Sequence, residues 1–135
     1  MKNEIIISST GKVMNVIYSG QILIEDILDS IKARMGLDNG EAIKKIKVMI
    51  VDFTNVDSLD LSTEDIIRDA DATREAARIN PNITLIGVVP GTFKIDLSRM
   101  WQTYADFSDP LPWKSHVVRT IEDANTITKD IIETT

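Results

Sequence analysis

Asp52, Asp57, Asp60, Glu64 and Asp65 crowd into the stretch VDFTNVDSLDLSTED, residues 51–65. Carboxylates at that density could hold a hard divalent cation, which takes oxygen ligands. The spacing matches no metal motif, however, and no glycine stands at the sharp turn of a calcium loop. Acids at a helix start complement its positive end by about 0.3–1 kcal/mol each, which accounts for Glu64 and Asp65 without a ligand. Nucleophilic catalysis is no better served: His116 is the sole histidine, beside Ser115, and there is no Gly-x-Ser-x-Gly elbow. Aspartates are numerous enough for acid–base pairs, but number alone marks no pair. Pro90-Gly91-Thr92 precedes a predicted helix yet has one glycine and no following Lys-Ser/Thr, so it is not a phosphate cradle. Acids nearby would repel an anion. The expectation is no catalytic residue, no metal and no cofactor.

The whole chain sets the bounds. Its 135 residues make one domain with a single core, residues 1–135. A net charge of −6 leaves no basic stripe to release counterions, which argues against nucleic acid as a partner. Cysteine is absent, so there is no disulfide and no thiolate ligand. The N-terminal Met-Lys-Asn-Glu-Ile lacks a signal-peptide core, and no apolar run approaches the ~20 residues that span a bilayer. A cytoplasmic location without membrane insertion is expected.

Periodicity gives the elements that must carry these side chains. Residues 5–8 and 12–18 read as a hairpin around Ser9-Thr10-Gly11. Ile24, Ile27, Leu28, Ile31 and Met35 form one stripe of a helix over 23–35, stopped near Gly36 and Asp38-Asn39-Gly40. Residues 46–53 and 83–89 read as strands buried on both faces. Between them lies a helix with Ser62 and Asp65 as its capping pair and Ile66, Ala70, Thr73 and Ala77 inward. A helix over 93–107, a strand over 115–119 and a last helix from Thr120 complete the chain. The order ββαβαβαβα implies α/β architecture: one mixed, mostly parallel five-stranded sheet with four main helices, opened by an antiparallel hairpin. Loops at 19–22, 54–62, 90–93 and Thr120 would then share the edge where parallel sheets bind partners. A receiver-type phosphotransfer site fails, because the first strand ends in Ser8-Ser9-Thr10 with no acidic pair.

Aromatics concentrate late. Phe93, Trp101, Tyr104, Phe107 and Trp113 fall within 93–113, and most should pack the helix on the sheet. Met100 and Trp101 point about 100° apart, so some of this set could build a subunit contact or an apolar pocket. Self-association and an apolar small-molecule ligand are both expectations drawn from it.

The element order, with SGQILIEDILDSI, VDFTNVDSLDLSTEDI and LSRMWQTYADF, resembles the SpoIIAA-like proteins related to STAS and Sec14/CRAL-TRIO domains. The resemblance spans residues 12–132 and implies a SpoIIAA/STAS-like fold and a regulatory, non-enzymatic role through an unidentified protein partner. Its Sec14 side implies the alternative of a lipid-like ligand. The STAS loop Asp-Ser-Ser-Gly-Leu, with its phosphorylated first serine, falls here on Asp60, Leu61, Ser62, Thr63 and Glu64. Leu61 cannot accept phosphate. A phosphate on Ser62 or Thr63 would meet a helix N-terminus but also several aspartates. The partner edge is therefore expected to comprise Asp57, Ser58, Asp60, Ser62, Thr63, Gly91 and Thr92.

Overall fold

A computed structural model describes residues 2–91 and 112–134. Strand β1, Asn3–Ile7, turns back into β2, Val13–Ile22, with Gly11 at the turn holding φ +76°. Helix α1, Ile24–Gly36, is followed by a 3₁₀ turn, Leu37–Gly40, and a short helix α2, Ala42–Lys45. Asp38 and Asn39 are left-handed in that turn (φ 51° and 54°), a conformation their short polar side chains tolerate. Then come β3, Val48–Leu59; α3, Thr63–Ile79; β4, Thr84–Val88; β5, Lys114–Val118; and α4, Ile121–Thr134. The helix expected over 93–107 lies outside the described residues.

The strands form one sheet in chain order, β1-β2-β3-β4-β5. β1 runs antiparallel to β2, and every later pair is parallel. This is the mixed, mostly parallel sheet that the pattern implied. Alternation sorts the side chains to two faces. Met14, Val16 and Tyr18 of β2 and Met49, Val51 and Phe53 of β3 pack with α1 and α3. Val48, Ile50, Ile86 and Val88 turn the other way, against Ala124, Ile127 and Ile131 of α4.

One expectation needs correction. Residues 54–59 and 19–22 are not loops: β3 continues through Leu59, and its partner β2 continues to Ile22. The polar sequence hid the strand because the ladder is bulged twice. Ile17 pairs with Asp52 but Ser19 pairs with Asn55, and Gly20 pairs with Val56 but Gln21 with Ser58. β3 thus carries an extra residue at each place, and Asp57 is the unmatched residue of the second bulge. Gly20, at φ +78°, supplies the turn of the backbone opposite it. The bulges keep Phe53 and Val56 both buried although they stand three apart.

Candidate functional site

β3 outruns its neighbour. Its last residue paired with β4 is Asp52, opposite Val88, and the strand then continues to Leu59 beside β2 alone. At about 3.3 Å per residue, the β2–β3 ribbon projects roughly 20 Å past that pair. Asp57 and Ser58 are exposed on the ribbon, and Asp60 follows it. Leu59 and Leu61 turn inward and pack against the core that α1 and α3 cover. Leu61, where the resemblance would set a phosphate-accepting serine, is therefore an apolar anchor that fixes the segment from beneath.

Ser62 is the N-cap of α3. Its Oγ accepts from the Asp65 N–H at 3.1 Å, and Asp65 Oδ2 accepts from the Ser62 N–H at 3.0 Å. The capping pair read from the sequence is thus formed, and it commits both side chains. Thr63 opens the helix and is exposed. Arg68 reaches Asp65 at 4.0 Å and Glu25 of α1 at 3.7 Å, an exposed tie between the two helices. Asp52 is likewise occupied, since its Oδ1 accepts from the Thr54 N–H at 2.9 Å and the Thr54 hydroxyl at 2.5 Å.

Asp57, Ser58, Asp60, Ser62 and Thr63 are all exposed along one stretch, interrupted by the inward Leu59 and Leu61. Gly91 is exposed in the turn that follows β4, the strand that the ribbon overhangs. Thr92, Phe93, Met100, Trp101, Tyr104 and Phe107 lie outside the described residues. No cluster of three His, Cys, Asp or Glu side chains suited to a metal occurs among the described residues. No helix among them is long and apolar enough to cross a membrane. His116 stands exposed on β5.

Trp113 is in the core. It is 7% exposed, and its indole N–H donates to the main-chain oxygen of Asn80 at 2.6 Å. Asn80 is a clamp. Its Nδ2 donates to Ile43 O at 2.8 Å and Ile46 O at 2.9 Å, tying the end of α3 to the α2–β3 turn.

The hydrophobic stripes missed a second polar group. Arg34 is 7% exposed and donates from Nη2 to Tyr18 OH at 2.5 Å and to Ser30 Oγ at 3.0 Å. Thr73 donates to Asp69 Oδ1 at 3.3 Å on α3. Tyr18, Arg34, Asp69, Thr73, Phe53 and Trp113 line a cavity of about 30 Å³, which is the scale of one water rather than a lipid tail. Burial pushes the Tyr18 phenol up, and the opposing pull of the Arg34 guanidinium does not reverse it. The phenol therefore stays protonated near neutral pH and is no base. The signal in the sequence was positional: Ser30 and Arg34, and Asp69 and Thr73, sit four apart on stripes otherwise apolar.

Comparison with known proteins agrees with this architecture. No protein-family model matches the chain, and no curated protein matches it in sequence. Among solved structures, it is similar to the anti-sigma factor antagonist SpoIIAA in its unphosphorylated form. That likeness has a TM-score of 0.55 at 10% identity and covers 94% of this chain and 97% of the other. A second is an uncharacterized DUF3478-family protein with a SpoIIAA-like fold from Shewanella loihica. There the TM-score is 0.50 at 16% identity, over 93% of this chain and 90% of the other. The fold is SpoIIAA-like.

Proposed function

We propose that this chain is a non-enzymatic, cytoplasmic regulatory domain that binds a protein partner through the β3–α3 junction. The observation that carries the reading is the overhanging ribbon, which lifts Asp57 and Ser58 clear of the sheet while Leu59 and Leu61 hold it down. The SpoIIAA likeness supports it, because that protein is described as an antagonist of an anti-sigma factor and so acts on another protein. With Leu61 in the acceptor position and Ser62 engaged as a cap, the contact is constitutive rather than phosphate-switched.

Reversing the exposed charges with Asp57→Lys and Asp60→Lys tests it. Quantitative affinity capture should enrich a partner with the wild-type chain and lose it with the double variant, melting temperatures being matched. A capture profile indifferent to both changes, beside turnover of a small molecule, would overturn the proposal.

A further inference from the structure

β1 is the end strand of the sheet, so among the described residues one side of its backbone has no strand beside it. Two hydrogen bonds fix which groups that side presents. The Ser19 N–H donates to Lys2 O and the Ser8 N–H to Val13 O, each at 2.9 Å. Residues alternate between bonding inward and outward in an antiparallel pair. Lys2, Glu4, Ile6 and Ser8 therefore face β2, and the N–H and C=O of Asn3, Ile5 and Ile7 point out along the edge.

Natural edge strands are usually blunted by lysine, proline or a bulge. β1 has none of these: it reads Asn-Glu-Ile-Ile-Ile, and its five pairs with β2 run without a register shift. β5, at the other end of the sheet, opens on Lys114. A hollow of about 800 Å³ adjoins the β1 edge and takes its lining from both faces of the sheet. Ile5, Asp29, Ala33 and Leu37 contribute on the α1 side, Glu4 and Ile17 on the other. An added strand needs that shape, because its alternate side chains fall to opposite faces. The charged groups of the lining are acidic, Glu4 and Asp29. Lys2, just before β1, is drawn to Asp26 at 3.3 Å.

We propose that the open edge of β1 docks an extended, lysine- or arginine-bearing segment of a partner protein by strand addition. A second copy of this chain is the poorer occupant. Pairing β1 with β1 would bring Glu4 and Asp29 of each copy together in a chain of net charge −6. The hollow reaches Asn55 of β3 but takes no lining from Asp57, Ser58, Asp60, Ser62 or Thr63, so this proposal does not depend on the β3–α3 junction.

The probe is an acetylated, amidated peptide of alternating valine and lysine, with a valine–glutamate peptide as control. Fluorescence anisotropy should show binding of the lysine peptide that weakens with salt. Amide exchange should slow at Asn3, Ile5 and Ile7. Asn3→Pro and Ile5→Pro each remove an outward N–H while sparing the ladder to β2, and should weaken binding about tenfold. Glu4→Lys should weaken the lysine peptide and strengthen the glutamate one, and it keeps the test alive if a proline variant fails to fold. Asp57→Lys with Asp60→Lys should leave peptide binding unchanged, which separates this proposal from the previous one. Equal binding of both peptides, or folded proline variants that bind like wild type, would overturn it. So would a wild-type dimer that Asn3→Pro dissociates, since the edge would then belong to a second copy.

Discussion

Replacing Asn80 with alanine isolates the clamp that joins α3, the α2–β3 turn and Trp113. The side chain donates to Ile43 O and Ile46 O and accepts from the Asn82 N–H at 3.0 Å. Asn82 is exposed, so water replaces that partner. Ile43 O keeps the Ile46 N–H at 3.3 Å, and its lost bond costs about 1 kcal/mol. Ile46 O has no second donor among the described residues, and leaving it unsatisfied costs about 1–3 kcal/mol. The sum is about 3 kcal/mol. For 135 residues, a melting entropy of about 2.1 cal/mol/K per residue gives about 0.28 kcal/mol/K. The expected fall in Tm is therefore about 10 °C, read by calorimetry and by urea unfolding. Asn80→Asp should be worse at neutral pH, because a carboxylate would face two carbonyl oxygens; that burial raises its pKa, so stability should recover as pH falls toward the ordinary carboxyl value of about 4 and level off below it. A loss under about 1 kcal/mol for Asn80→Ala, or no pH dependence for Asn80→Asp, would refute the clamp.

Two further outcomes follow from the caps and the buried phenol. Ser62→Ala should cost about 1 kcal/mol by urea unfolding, and Ser62→Gly only a few tenths, as for an N-cap; equal losses would show that the hydroxyl does not cap. Burial raises the Tyr18 pKa above its ordinary 10.0, so the folded state holds that proton more tightly than the unfolded one. Its contribution is whole below pH 10 and is lost as pH rises toward the folded value. Stability from about pH 9 upward should therefore fall less steeply in Tyr18→Phe than in wild type; parallel curves would contradict that sign.

What the sequence showed best were features with local causes. The Ser62–Asp65 cap, the helix stop near Gly36 and the strand alternation each depend on residues close together in the chain. What it hid depended on distant partners. Asn55, Asp57 and Ser58 look like loop because they favour turns over strands, and only the ladder with Ser19–Ile22 makes them strand. Ser30, Arg34 and Asp69 look like solvent-facing interruptions of an apolar stripe. They are buried because the partners across the α1–sheet–α3 layer, Tyr18 above all, are themselves polar there. At the candidate site the acids could be read directly, but not the overhang that displays them, since that is a difference in length between two strands.

The doubled bulge in β3 also sets where this segment can change length. Counting inward from Val51, the buried positions are Phe53 and Val56, with Leu59 partly so, a spacing no regular strand produces. Each extra residue shifts the frame in which later side chains are read as inside or outside. Deleting Asp57 would remove the unmatched residue and its bulge, leaving Leu59 opposite Ile22 and on the face of Val56. Polar exposed stretches usually tolerate changes of length, but this one can lose a residue only where a bulge makes it surplus, and any further deletion turns the later side chains to the other face. In any alignment of related chains, a gap between residues 53 and 59 marks a different surface rather than a shorter loop.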